Sequence, residues 1–223
     1  MTETPDDALL ASLPEPQSWH AFQETQARHL EQFPNAWVGE VGLDKDRRFA
    51  IPSAAGRPAL TNVKVTMQHQ QLLLRDQMFT AIKYKRPVSL HGVQCHGALF
   101  DTITAVAKET ISRGDPMVPV CLHSFSGSDQ LAQRWLSAKS LRGLVYFSFS
   151  YAVNHRYEKW ASVIQSIPDD RILMESDLHV AGERMERALQ DVLQCIAQAK
   201  AWSLKDAHEH LCQNWDKWLH LSL

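Results

Sequence analysis

Four side chains able to bind a metal stand at matching places in this chain: Glu40 in WVGEVGLD, His91 in PVSLH, His123 in MVPVCLH and Asp177 just past RILME. Each ends or closely follows a short apolar run, and a helical stretch comes after. A single histidine so placed usually has a plainer role, as a hydrogen-bonded residue beneath a loop. Four carboxylate and imidazole groups placed alike at strand ends point instead to a metal site.

Those four residues need a scaffold that brings strand ends together. Apolar runs at 36–41, 87–91, 117–123, 144–149 and 171–175 read as strands. Helices are expected at 18–33 after the N-cap Ser18, at 66–85, at 96–112, after Ser126 of SGSD, at 155–165 and from Glu183 onward. The last of these ends in a short helix with Trp215, Trp218 and Leu219. Residues 42–65 read as a long polar loop, and loops of that length in a compact domain are more often functional than filler. Residues 1–17, with Pro5, Pro14 and Pro16, read as a flexible lead before one domain at 18–223.

Five βα units with near-continuous apolar strands indicate an α/β fold with a parallel sheet covered by helices. There is no GxGxxG or Walker sequence to announce a nucleotide-binding open sheet. A TIM-like (β/α) barrel gathers chemistry at the C-terminal strand ends, where these four residues fall.

Composition narrows the function further. A hydrophobic share of 44% describes a folded soluble domain, and a net charge of −2 offers no broad attraction for nucleic acid, so phosphate recognition must be local. No apolar run reaches the length of a membrane span, and the acidic start lacks the basic residues of a signal peptide. Four widely spaced cysteines (Cys95, Cys121, Cys195, Cys212) without a CxxC fit reduced thiols in a cytoplasmic or nuclear protein.

GEVGLD (39–44), PVSLH (87–91), HSFSG (123–127) and ILMESD (172–177), in this order, resemble the successive signatures of the TatD-type metal-dependent deoxyribonucleases. Gln70, Leu74, Gln77 and Ala81 match the helix before the His91 strand, SIPDDR (166–171) the lead-in to the last strand, and Asn214 the closing helix. The resemblance runs from about residue 19 to the C-terminus. It implies a phosphodiester hydrolase on a TIM-like barrel. Glu40 would bridge two divalent ions, His91 and His123 would hold one, and Asp177 would hold the other and orient or deprotonate the attacking water. Glu40 and Asp177 are thus the expected catalytic residues. Two cations bridged by a carboxylate activate water and neutralise charge on a scissile phosphate. Mixed His and carboxylate ligands suit Mg²⁺, Mn²⁺ or Zn²⁺, as one ion or two.

The departures from the family pattern carry expectations of their own. The family opens with an HxH strand, and the HxH here, His208-Glu209-His210, lies in a helical context where residues two apart diverge. GEVGLD corresponds to the fourth family strand, so the barrel is expected to be incomplete, with about its last five βα units and an exposed apolar lining. A nuclease so built is expected to be impaired, and a protein partner is expected to cover the open barrel edge. Val93 stands where the family carries a phosphate-binding Arg. His96, His179, Lys45, Arg47 and Arg48 are the candidates for contacting DNA or another phosphodiester substrate. Glu175 is expected on the opposite side of its strand from Asp177, as a structural partner. Two other functions remain open: a non-catalytic scaffold acting as an interaction protein, and another amidohydrolase-like enzyme.

Overall fold

A computed structural model describes residues 5–51 and 59–220. Five strands form one parallel sheet: β1 (Val38–Asp44), β4 (Val88–Val93), β5 (Val120–Leu122), β6 (Val145–Ser150) and β7 (Ile172–Glu175), side by side in that order. Between β1 and β4 lies a separate antiparallel pair, β2 (Arg48–Ile51) and β3 (Ala59–Lys64), which occupies the stretch expected to be loop. Asp46 ties the pair to the end of β1, since Lys64 Nζ lies 3.0 Å and Arg48 Nη2 3.4 Å from its carboxylate. Strand β1 also runs three residues past its expected end at Val41, because Gly42, Leu43 and Asp44 continue the ladder opposite His91, Gly92 and Val93.

Two helices precede the sheet, α1 (Asp7–Ser12) and α2 (Trp19–Gln32), capped by Asp6 and Ser18. Leu9 of α1 is buried, so a small part of the lead is folded against the domain. The helices between strands are α3 (Met67–Lys83), α4 (His96–Ser112) and α5 (Asp129–Leu136), then α6 (Tyr151–Asn154) and α7 (Trp160–Ser166). The cap of α5 is Ser128, whose Oγ accepts from Leu131 N, and not Ser126. The turn before it is fixed by Gly127, where a Cβ would meet the Phe125 ring at 2.5 Å and Leu131 at 2.6 Å. The chain closes with α8 (Glu183–Lys200) and α9 (Leu204–His220).

Strand alternation divides the buried residues between two faces. Val145, Phe147 and Phe149 of β6 join Leu43, Leu90, Val120 and Ile172 in the main core, packed beneath α3, α4, α7 and α8 through residues such as Met78, Ile103, Ile164 and Ile196. Tyr146, between them, turns to the other face and meets Cys121, Leu173 and Trp218. That second face is the one a closed barrel would line.

The sheet does not close: among the described residues β1 and β7 are its edges. The lining is nevertheless not left bare. Trp218 of α9, 2% exposed, covers Cys121, Tyr146 and Leu173. Asn214 fastens α9 to the start of β7, its Nδ2 donating to Asp169 O at 2.7 Å and Ile172 O at 2.9 Å. At the opposite edge Trp37, just before β1, packs edge-on against Trp215 and Trp218 at 5.4 and 5.8 Å. One amphipathic helix thereby links the two edge strands. Burying an aromatic ring of that size supplies apolar contact to the face of the sheet that a closed barrel would line.

Candidate metal centre

Glu40 of β1 and the C-terminal ends of β4, β5 and β7 face a cleft of about 360 Å³ that His91, His96, His123 and Asp177 also line. Within it Glu40, His123 and Asp177 each offer a ligand atom, and the three atoms lie within 4.8 Å of one another. His123 Nε2 is 3.1 Å from Asp177 Oδ1 and in direct contact with Glu40 Oε1. His91 sits beside this group: its Nδ1 is 3.9 Å from Glu40 Oε2 and its Nε2 is 3.9 Å from Asp44 Oδ2. His123 Nε2 and Asp177 Oδ1 could thus both meet one cation, while His91 faces the other oxygen of Glu40.

Each of these four residues is held by its own element. Glu40 lies on β1, whose Gly42 is pressed against β4 so closely that a Cβ would stand 1.9 Å from His91 O. His91 lies within β4, while His123 and Asp177 follow the last residues of β5 and β7. Three non-glycine residues at this rim, Gln94, Ser124 and Asp177, have φ of 52°, 42° and 55°, the left-handed region that side chains avoid. Such conformations collect where a site demands a sharp exit from a strand.

Glu175 was expected to face away and does not. Glu175 is the last residue of β7 and Asp177 lies beyond it with a left-handed φ of 55°, so strand alternation does not part them, and both reach His123. Glu175 Oε2 is 2.7 Å from His123 Nδ1, which leaves Nε2 directed at Glu40 and Asp177. The other oxygen, Oε1, accepts from both the backbone N–H and the hydroxyl of Ser124 at 2.6 Å. Ser124 Oγ is in turn 2.8 Å from Ser150 Oγ. Asn154 completes the support: its Oδ1 accepts from Ser150 N at 2.8 Å and its Nδ2 donates to Phe125 O at 2.9 Å. Metal-ligating histidines characteristically donate their remote N–H to a carboxylate in this way. The signal in the sequence was present in HSFSG and ILMESD, as a Ser after the His and a Glu two before the Asp, but pairing them required the fold.

The electrostatics show an excess of negative charge. Burial alone would lower the pKa of His123, but hydrogen bonds to Glu175 and Glu40 outweigh it and push the value up to about 10. The hydrogen bond from His123 holds Glu40 below the usual carboxylate range, against the opposing effect of partial burial. Three carboxylates around one imidazole are satisfied by a proton or, better, by a divalent cation that Nε2, Oε1 and Oδ1 can share. The mixed nitrogen and oxygen donor set suits such an ion.

Among the substrate candidates, only His96 lines this cleft; burial lowers its pKa, and its ring is 6.3 Å from that of Phe125. Lys45, Arg47, Arg48 and His179 are not on its lining. Arg48 is paired with Asp46, and His179 is exposed beyond β7. The HxH of α9 is divided as expected: His208 contacts Cys212 at 3.7 Å, while His210 stacks on Trp202 at 4.4 Å.

Comparison with known proteins follows the same lines. The family model of the TatD related DNases matches residues 11–220. The Cut9-interacting protein scn1 of Schizosaccharomyces pombe is 30% identical over 241 residues, spanning 96% of this chain and 71% of its own length. A Saccharomyces cerevisiae protein named an uncharacterized deoxyribonuclease is 31% identical over 207 residues, spanning 88% of this chain and 63% of its own length. The crystal structure of YJJV, a TatD homologue from Escherichia coli, superposes with a TM-score of 0.65 at 21% identity, covering 91% of this chain and 71% of that one. A TatD family hydrolase from Entamoeba histolytica gives 0.64 at 15%, covering 90% and 69%. At those identities the likeness to solved structures is one of fold.

Proposed function

Since this chain belongs to the family of TatD-related DNases, we propose that Glu40, His123 and Asp177 hold a divalent cation at which a DNA phosphodiester is hydrolysed. The family is one of metal-dependent hydrolases acting on ester bonds. A bound divalent cation supplies Lewis-acid stabilisation of phosphoryl charge and lowers the pKa of water. The chain's own residues do the rest. Asp177 accepts the proton of the attacking water, Glu40 and His123 fix the site, and Glu175 keeps Nε2 of His123 turned inward. His91, with Glu40, completes a second cation position. Mg²⁺, Mn²⁺ and Zn²⁺ all fit these donors.

The observation that carries this proposal is the convergence of three ligand atoms within 4.8 Å, in a cleft at the C-terminal strand ends. The test is cleavage of single- and double-stranded DNA by the purified chain with each cation. Cleavage that needs the cation, stops with a chelator and disappears in Glu40→Ala is the expected result.

A second role, as a scaffold for a protein partner, has its own support. The fission-yeast relative is named for an interaction with Cut9. Here, Trp37 at the open β1 edge is 42% exposed. The chain's four free cysteines fit a reducing compartment such as the cytoplasm or nucleus. Among the described residues no helix is long and apolar enough to cross a membrane. A purified chain that takes up no stoichiometric metal and cleaves nothing would favour the scaffold.

A further inference from the structure

Beside the metal cleft lies a second cleft of about 540 Å³, formed where the turn 125–128 faces the segment 154–163. The two clefts share Ser126 and Tyr157, so they adjoin along the surface. Tyr157 stands at their junction, 48% exposed. Trp160, half-buried on the main core, forms a wall of the second cleft. Lys159 lines it as well, is exposed, and has no ion-pair partner among the described residues.

We propose that this second cleft binds the nucleotide next to the scissile phosphate of single-stranded DNA, with the base stacked on Tyr157 and the following phosphate met by Lys159. The proposal rests on the hydrolase function above and adds a substrate-length preference to it. An aromatic ring accepts any base face, so such a subsite tolerates sequence. With a net charge of −2 the chain cannot hold a strand by its overall field, which makes stacking the main source of affinity.

The N-terminus of α5 also borders the cleft, but it is not the anion receptor. Ser128 Oγ already accepts from Leu131 N, and Asp129 places a carboxylate in the first turn. Asp129 should therefore oppose the strand, which gives the subsite a variant of opposite sign.

The experiment measures binding of a fluorescein-labelled hexathymidylate to the full chain by anisotropy, with Mn²⁺ affinity measured in parallel. Tyr157→Ala should weaken hexathymidylate binding about ten-fold, with Tyr157→Phe retaining it. Lys159→Gln should weaken binding and reduce its logarithmic salt slope by about 0.7, the loss of one single-strand phosphate contact. Asp129→Asn should tighten it. In all four variants the Mn²⁺ affinity should stay at the wild-type value, which separates a binding role from loss of fold. Affinities within two-fold of wild type for both Tyr157→Ala and Lys159→Gln would overturn the subsite, as would a wild-type chain that does not bind the oligonucleotide. Failure of the hydrolase function looks different: the strand binds through Tyr157, but no cation brings about its cleavage.

Discussion

Glu175 Oε2 and His123 Nδ1 lie 2.7 Å apart, and this contact decides which face of the imidazole the cleft receives. With Nδ1 engaged, Nε2 is the nitrogen that meets Glu40 and Asp177. Glu175 itself cannot turn away, because Ser124 donates two hydrogen bonds to its other oxygen.

Removing that carboxylate should loosen the metal centre without touching it. Glu175→Ala is expected to weaken Mn²⁺ binding about ten-fold or more, within the usual range for a residue that orients a ligand. Glu175→Gln, which keeps the shape and an acceptor, should fall between. Isothermal titration measures both, and an unaltered affinity in Glu175→Ala would remove Glu175 from this role.

The two histidines should not be equivalent. His123 shares the three-residue cluster, whereas His91 stands 3.9 Å from Glu40 on its far oxygen. His123→Ala is expected to abolish tight cation binding, while His91→Ala should retain one ion per chain. Metal content after gel filtration distinguishes the two, and equal losses would contradict the placement of His91 at a separate position.

Gly42 should tolerate no side chain. A Cβ there would meet the backbone oxygen of His91 at 1.9 Å, and backbone cannot step aside as a flexible side chain can. Gly42→Ala is expected to destabilise the domain by about 3 kcal/mol, at the upper end for overpacking, and to separate β1 from β4. A fall in Tm accompanied by weaker cation binding would show both effects. An unchanged Tm would mean that β1 is not packed as described.

Asn214 holds α9 to the sheet through two carbonyls, Asp169 O and the buried Ile172 O. Asn214→Ala leaves both without this donor and should cost about 2 kcal/mol. Since Trp218 rides on the same helix, intrinsic tryptophan fluorescence should shift toward that of exposed rings at lower urea than in the wild type. Coincident unfolding curves for the two proteins would argue against α9 as the cover of the sheet.

The thiols should differ in reactivity, because the thiolate is the reacting form. Burial pushes the Cys121 thiol far up, and burial likewise raises Cys95. Cys212 is exposed on α9. Iodoacetamide at mild alkaline pH should label Cys212 first and reach Cys95 and Cys121 only when the domain unfolds. Peptide mapping by mass spectrometry reads the order, and early labelling of Cys121 would show that the Trp218 cover is not in place.

Much of this protein is legible along the chain. Apolar runs bounded by polar residues determine five parallel strands, because a strand buried on both faces must be apolar throughout. Ser18 and Thr66 determine helix starts, since their side chains satisfy backbone N–H groups within the next turn. The metal-competent types of Glu40, His91, His123 and Asp177 are also fixed by sequence, whereas only His123 and Asp177 lie past the ends of their strands, Glu40 and His91 being inside β1 and β4. These are local properties, and a one-dimensional text carries them.

What the tertiary structure alone decided depends on contacts between residues far apart in the chain. The pairing of Glu175 with His123 and Ser124 spans more than fifty residues, and no spacing rule announces it. The grouping of Glu40, His123 and Asp177, with His91 to one side, depends on strand register and on the left-handed exit at Asp177. The antiparallel pair β2–β3 replaced an expected loop, because its short strands gain their stability from each other and from Asp46 instead of from an apolar pattern. The cover over the open sheet is likewise a matter of where a helix lands. Sequence marks Trp215 and Trp218 as one helical stripe, but only the packing of α9 from β7 to Trp37 shows that Trp218 fills the concave face of an unclosed barrel.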